Sequence, residues 1–190
     1  MQTKNIMIVG VGGQGSLLAS KLLGRLLVDE GYDVKVSEVH GMSQRGGSVV
    51  TYVRYGEKVY SPLIEEGEAD VIVSFEKIEA ARWVSCLKKD GKIIVNTQQI
   101  DPMPVIIGKE KYPADVLEEI KEKGAFVDAL DALSIANEAG NAKAVNIVLM
   151  ARLAKYFDIS YDKWIAAIEK TVNPKFVELN KKAFELGYNH

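Results

Sequence analysis

The sequence predicts an α/β fold of the three-layer, Rossmann-like kind, with a mostly parallel sheet, helices on both faces and a helical C-terminus. Short apolar runs typical of buried strands alternate with segments of helical periodicity along most of the chain. A glycine-rich stretch follows the first of these runs and opens the first helix. The 190 residues contain no repeat or linker, so we expect a single domain spanning residues 1–190.

The first elements follow the order strand, glycine loop, helix, strand. The apolar run Ile6–Val9 predicts a buried strand that ends in the loop 10–15. Leucines at helical spacing predict a helix over 16–29, and Gly31 ends it. Alternating valines predict a second strand over 33–39. This order predicts a βαβ unit.

The later elements are predicted in the same way, and the chain is expected to be mainly helical from residue 131 onward. Strands are expected at 48–55, 69–75, 91–96 and 125–130, with 58–61 pairing back on 48–55 as a hairpin, and helices at 77–87, 113–123, 142–157, 161–172 and 174–186. The helix over 142–157 is apolar on most sides, which predicts burial either in the chain's own core or against another subunit.

Composition excludes several functional classes. The chain is 47% hydrophobic and 26% charged with a formal net charge of −2, so no basic excess indicates nucleic-acid binding. No segment is long and apolar enough to span a membrane, and we expect a cytoplasmic protein. The only cysteine, Cys86, cannot hold an iron–sulfur cluster alone and is expected to be a buried small hydrophobic residue. His40 and His190 are the only histidines, which argues against a metal site built from clustered histidines.

The loop 10–15 fits the pattern G-x-G-x-x-G in the context of a strand before it and a helix after it. Its candidate contact residues are Gly12, Gly13, Gln14 and Gly15. Glycines permit positive φ, and the start of a helix favours an anion. Glu38 ends the second strand where a ribose-binding acid belongs. The motif alone leaves open a dinucleotide site, another anionic ligand and a turn that binds nothing.

A second polar segment, residues 40–47, follows the second strand. Its candidate contact residues are His40, Ser43, Gln44, Arg45 and Gly46. The guanidinium group of Arg45 can donate two parallel hydrogen bonds to a carboxylate or phosphate. The alternative is a solvated loop. Because ligands bind at the carboxyl ends of parallel strands, we expect both loops to share one edge of the sheet.

Together, the stretches Gly10-Val11-Gly12-Gly13-Gln14-Gly15 and His40-Gly41-Met42-Ser43-Gln44-Arg45-Gly46-Gly47 resemble the gamma-type domain of pyruvate/2-ketoisovalerate ferredoxin oxidoreductases. Within this family the second stretch is most similar to the small (beta) subunits of indolepyruvate ferredoxin oxidoreductases. The resemblance covers nearly the whole chain, including residues 69–76 and 140–146, so it implies one gamma-type catalytic domain.

The resemblance implies a subunit of a 2-oxoacid:ferredoxin oxidoreductase. An aryl 2-oxoacid such as indolepyruvate, coenzyme A and oxidised ferredoxin would give aryl-acyl-CoA, carbon dioxide and reduced ferredoxin. The large (alpha) subunit would hold thiamine diphosphate and the iron–sulfur clusters, and this chain would bind no cofactor alone and be inactive in isolation. The two loops would contact the substrate carboxylate, a CoA phosphate or the large subunit. No catalytic residue and no metal ligand is assigned here.

Two alternatives belong to other functional classes. The first is an NAD-dependent oxidoreductase that uses the loop 10–15 and Glu38 for the dinucleotide, although no hydride-transfer partner residue is evident. The second is a non-catalytic assembly or regulatory subunit on the same fold, because one fold serves many functions.

Overall fold

The computed structural model describes residues 3–40 and 46–190 and contains six strands and eight α-helices in these ranges. The strands are β1 (Lys4–Val11), β2 (Asp33–His40), β3 (Ser48–Gly56), β4 (Ala69–Ser74), β5 (Leu87–Asn96) and β6 (Phe126–Leu130). The helices are α1 (Ser16–Asp29), α2 (Lys77–Trp83), α3 (Met103–Ile106), α4 (Val116–Glu122), α5 (Ala132–Ala139), α6 (Val145–Ala154), α7 (Tyr161–Thr171) and α8 (Val177–Asn189).

The strands form one sheet in the order β2-β3-β1-β4-β5-β6. Strands β1, β4, β5 and β6 pair in parallel, whereas β3 pairs antiparallel with both β1 and β2. Because β3 is antiparallel to each neighbour, β1 and β2 run in the same direction. The predicted mostly parallel sheet is confirmed, and its one antiparallel strand lies between the two strands of the predicted βαβ unit.

Apolar residues face both sides of the sheet, because successive side chains of a strand point to opposite faces. Ile6 and Ile8 of β1 join a core with α1 and α5–α8, whereas Met7 and Val9 join a second core with α2 and α4. The three-layer arrangement is therefore confirmed. Nine of the ten residues of α6 are buried, so this helix packs within the chain's own core rather than presenting a face to a partner.

Several predicted bounds shift by a few residues, and two predicted elements differ in a way that concerns the topology. Residues 58–61 form no strand, so the predicted hairpin is wrong: β3 already has a neighbour on each side, and its hairpin partner is β2. The helix predicted over 77–87 ends at Trp83, because a 3₁₀ turn over Val84–Cys86 leads directly into β5.

Candidate functional site

The glycine loop between β1 and α1 has the backbone geometry that its sequence predicts. Gly13 and Gly15 have φ values of 102° and 90°, a region that favours glycine, and Gly15 is the N-cap of α1. A Cβ at Gly15 would also lie 3.0 Å from Asn146 Nδ2. The first turn of an α-helix leaves backbone N–H groups without intrahelical acceptors. The loop therefore brings backbone donors to the carboxyl edge of the sheet.

The second predicted loop meets the first at this edge. Gly12 donates its N–H to the Gly47 carbonyl at 2.8 Å, and Gly46 donates to the Gly12 carbonyl at 3.3 Å. These two bonds continue the pairing of β1 with β3 beyond the strand ends. The expectation that both loops share one edge of the sheet is confirmed for the residues that the structure describes. Ser43, Gln44 and Arg45 lie outside the described residues, and His40 is placed only through its backbone at the end of β2.

Gln14 is the most highly connected side chain of the glycine loop. Its Oε1 accepts a hydrogen bond from the Val11 N–H at 2.7 Å. Its Nε2 donates to the Phe75 carbonyl at 3.1 Å and to Gln98 Oε1 at 3.3 Å. The sequence predicted Gln14 as a contact residue, and in the structure its amide links the end of β1 to the segments that follow β4 and β5.

A cavity of about 470 Å³ opens between the start of α1 and the start of α6. The glycine loop lines one side through Gly13, Gln14 and Gly15, and Lys143 and Asn146 line the other. Gln98 also lines it, and Leu18, Leu133 and Val145 add apolar surface. Among the described residues that line this cavity none is acidic, so its polar surface favours an anionic group.

A second cavity of about 460 Å³ lies on the other side of the glycine loop. Gly12, Gly13 and Ser16 line it together with Glu38. The structure therefore brings Glu38 next to the glycine loop, as the dinucleotide alternative requires. However, β3 lies between β1 and β2, which places Glu38 one strand further away than in a sheet where those two strands are neighbours.

Sequence reasoning missed three polar residues around the glycine loop: Asn96, Gln98 and Lys143. Asn96 is fully buried at the end of β5, and Gln98 follows it two residues later. Polar residues directly after a buried strand were the available signal, since carboxyl ends of parallel strands carry binding residues. Lys143 had no comparable signal, because it precedes a buried helix far from the glycine loop in sequence.

Glu76 connects α2 to the segment that follows β5 at the same edge of the sheet. It is 1% exposed and caps α2, since Oε2 accepts from the Glu79 N–H at 3.0 Å. Its Oε1 accepts from the Ile100 N–H and from the Tyr112 hydroxyl. Burial and this hydrogen bond to Glu76 raise the pKa of Tyr112 well above its usual range. The segment after β5 is thereby attached to α2.

The carboxylate side chains in the part of the chain that the structure describes are dispersed rather than clustered. This part of the chain contains no group of three or more His, Cys, Asp and Glu side chains arranged to hold a metal ion. Cys86 is 7% exposed, and burial raises the pKa of its thiol, so it is the buried small residue that the sequence predicted. None of the described helices is long and apolar enough to cross a membrane.

Comparison with known families identifies the family of the chain. Residues 5–190 match the family described as pyruvate ferredoxin/flavodoxin oxidoreductase. The chain belongs to the pyruvate ferredoxin/flavodoxin oxidoreductase family. The family resemblance that the two loop sequences carried is therefore confirmed, and the match extends through every helix and strand of the fold.

Individual members of this family are similar to the chain over nearly its whole length. The chain is 47% identical to the indolepyruvate oxidoreductase subunit IorB of Pyrococcus horikoshii and 46% identical to that of Thermococcus kodakarensis. Each alignment covers 98% of this chain and 95% of the relative. Among solved structures, pyruvate oxidoreductase subunit PORC of Thermotoga maritima shares the fold at 21% identity, with a TM-score of 0.76 over 100% of this chain and 97% of that one.

Proposed function

We propose that this chain is the small subunit of a 2-oxoacid:ferredoxin oxidoreductase that acts on arylpyruvates, with indolepyruvate as the leading substrate. The complete enzyme would convert the oxoacid, coenzyme A and oxidised ferredoxin into aryl-acyl-CoA, carbon dioxide and reduced ferredoxin. The observation that carries this proposal is the identity of 46–47%, over nearly the full length of both chains, with subunits named for indolepyruvate oxidoreductase. The chain would act as one gamma-type domain over residues 1–190, in the cytoplasm.

The cofactors would belong to a large partner subunit. Thiamine diphosphate would supply the decarboxylation chemistry there, and iron–sulfur clusters would pass electrons to ferredoxin. The single cysteine of this chain supports that division, because one thiolate cannot ligate a four-iron cluster. The isolated chain would therefore be inactive.

The contribution of this chain would be one wall of a composite site at the carboxyl edge of its sheet. Gly13 and Gly15 would present backbone donors, while Gln14 holds the loop to its neighbours and Gly12 pairs with the second loop. Ser43, Gln44 and Arg45, with His40 and Gly46 at the ends of their loop, would face the large subunit and an anionic group. That group would be the oxoacid carboxylate or a CoA phosphate. The pairing of Gly12 with Gly46 and Gly47 supports a shared role of the two loops.

One observation favours a second candidate function. Glu38 lines a cavity with the glycine loop, which is the arrangement that an NAD-dependent enzyme would use. The intervening β3 and the family membership weigh against it. A non-catalytic assembly role is the remaining alternative.

The deciding experiment is an anaerobic, affinity-tagged purification of this chain from its native cell. We expect a larger subunit to co-purify, with iron–sulfur absorbance and arylpyruvate:ferredoxin activity that depends on CoA. A colourless chain without a partner that binds NAD would overturn the proposal in favour of the dinucleotide function. An active complex that keeps its activity when both loops are mutated would assign this chain an assembly role.

A further inference from the structure

We propose that Gln98 is a fixed hydrogen-bond donor which, together with Lys143, binds an oxyanion in the cavity between α1 and α6. The oxyanion is a carboxylate or a phosphate group. This inference rests on the proposed function for the identity of its ligands, since both groups occur among the substrates of that reaction. It adds a specificity-determining residue that lies outside both glycine-rich loops.

The argument begins with the orientation of the Gln14 amide. A backbone N–H only donates, so the Gln14 atom that receives the Val11 N–H at 2.7 Å must be the oxygen. The Gln14 nitrogen therefore faces the other way. Its two hydrogens go to the Phe75 carbonyl at 3.1 Å and to Gln98 at 3.3 Å.

The orientation of the Asn96 amide also follows from a backbone N–H that it receives. Its Oδ1 accepts the Ala132 N–H at 3.1 Å, so its nitrogen is the atom that donates. That nitrogen donates to the Phe75 carbonyl and to Gln98, each at 3.3 Å. Asn96 is fully buried, so water does not compete for these bonds.

The orientation of Gln98 follows from these two neighbours. Both Gln14 and Asn96 present N–H donors to it, so the Gln98 atom between them must be the oxygen, and its two lone pairs are both used. The amide nitrogen of Gln98 then points away from this network. Within the described ranges 3–40 and 46–190 this nitrogen donates to no other group. Because Gln98 lines the cavity, its two N–H groups are available to a ligand there.

The chemistry of the cavity wall defines the ligand class. The nitrogen of Gln98 only donates, and the Lys143 ammonium donates and carries a positive charge. No acidic side chain occurs among the described residues of the lining. A ligand group that accepts several hydrogen bonds and carries a negative charge fits this wall, whereas a cation or a donor-only group does not. Leu18, Leu133 and Val145 provide apolar contact beside it.

The test uses Gln98→Glu, which replaces the amide nitrogen that faces the cavity and keeps the oxygen that accepts from Gln14 and Asn96. One carboxylate oxygen of the new glutamate can still accept from Gln14 and Asn96. The other oxygen replaces the amide nitrogen, so a hydrogen-bond donor to the cavity becomes a negatively charged acceptor. The matched control is Gln99→Glu, the same change one residue later on an exposed side chain whose amide donates to Asp101. Lys143→Met removes the second proposed contact.

In the reconstituted complex, Gln98→Glu should raise the KM of one anionic substrate about tenfold or more, with kcat largely kept, because a charge-assisted hydrogen bond is replaced by repulsion. Lys143→Met should raise the KM of the same substrate, and Gln99→Glu should change neither. A change confined to arylpyruvate identifies the oxoacid carboxylate, and a change confined to CoA identifies a phosphate. Unchanged KM values for both substrates in Gln98→Glu would overturn the inference.

A second measurement separates failure of this inference from failure of the proposed function. If the wild-type complex has no activity with arylpyruvate and CoA, the proposed function is wrong. Titration of the full chain with inorganic pyrophosphate and with indolepyruvate then decides the inference alone. Binding of either probe that is weakened about tenfold by Gln98→Glu and not by Gln99→Glu supports it. Equal affinity in both variants, or no binding of either probe, overturns it.

Discussion

At the scale of single residues, a two-point ion pair away from the cavity joins Asp128 of β6 to Arg152 of α6. Arg152 donates from Nε to Asp128 Oδ2 at 2.6 Å and from a terminal nitrogen to Oδ1 at 2.8 Å, and the Tyr156 hydroxyl donates to Oδ2 at 2.7 Å. Asp128 is 7% exposed. Removing one partner of such a pair leaves the other charge buried without compensation.

We expect Asp128→Asn to lower the free energy of unfolding by about 2–3 kcal/mol, below the range for fully buried pairs because the Arg152 side chain is 21% exposed. Urea unfolding at pH 7 measures this change. The control is Glu118→Gln, which removes an exposed pair with Lys121 and should cost about 0.5 kcal/mol or less. Equal losses in the two variants would contradict the special role of the buried pair.

The same pair predicts a pH dependence. Burial alone would raise the pKa of Asp128, but hydrogen bonds from Arg152 and Tyr156 outweigh it and hold that pKa below its ordinary value of 3.8. A lowered carboxyl pKa stabilises the folded state above the unfolded pKa, and the stabilisation is lost as pH falls toward the folded value. The difference in stability between the wild type and Asp128→Asn should therefore shrink as pH falls from about 5 to about 3, because the unfolded carboxyl binds its proton in that range.

At the scale of elements, replacing either of two helical glycines by alanine is expected to change stability, but in opposite directions. A Cβ at Gly24 of α1 would meet its nearest atom, Val36 Cγ2, at 3.6 Å, an ordinary contact. A Cβ at Gly187 of α8 would lie 2.9 Å from the Val148 carbonyl oxygen of α6, so α6 and α8 would have to separate. The absence of a side chain is therefore required at Gly187 and dispensable at Gly24.

Gly24→Ala should raise the free energy of unfolding by about 0.5–1 kcal/mol, because alanine favours a helix interior over glycine. Gly187→Ala should lower it by about 1–3 kcal/mol through overpacking. Thermal unfolding of both variants under identical conditions measures the two signs. A stabilised Gly187→Ala would mean that α8 moves away from α6 without cost.

The positions of most elements could be predicted from local pattern, but their pairing could not. The helix predicted over 16–29 has those bounds in the structure, because its leucine spacing and Gly31 are local signals. The antiparallel direction of β3 is set by backbone pairing with β1 and β2 and leaves no trace in the alternation of its own residues. The hairpin predicted at 58–61 was wrong for the same reason.

At the scale of the whole molecule, the candidate site is assembled from segments that are far apart in the chain. The glycine loop and the ends of β4 and β5 meet at one edge because β1, β4 and β5 run in the same direction, and the start of α6 lies across the cavity from the loop. The motif at 10–15 could be recognised in the sequence, because closely spaced glycines after a strand indicate a turn with positive φ values. Gln98 and Lys143 were not, because a glutamine and a lysine acquire a binding role only through the neighbours that tertiary structure gives them.

The second loop provides the prediction that concerns the whole complex. Gly46 and Gly47 pair with Gly12 at the edge that holds the glycine loop, and Arg45 directly precedes Gly46 in the sequence. If Arg45 grips an anionic substrate group, Arg45→Ala should raise the apparent KM for arylpyruvate or for CoA about tenfold or more while the large subunit still co-purifies. Arg45→Lys should give an intermediate KM, since lysine keeps the charge but loses the two-point geometry.

The control is Arg25→Ala on the exposed face of α1, where the guanidinium pairs with Asp29 and the KM of both substrates should stay unchanged. Steady-state kinetics of the reconstituted complexes, with each substrate varied in turn, measure these values. Gln98 and Arg45 belong to different segments of the chain, so a raised KM for the same substrate in both variants would indicate that both bind one ligand group. If the two variants raise KM for different substrates, one residue binds the oxoacid and the other binds CoA. If Arg45→Ala leaves both KM values unchanged, Arg45 does not bind either substrate.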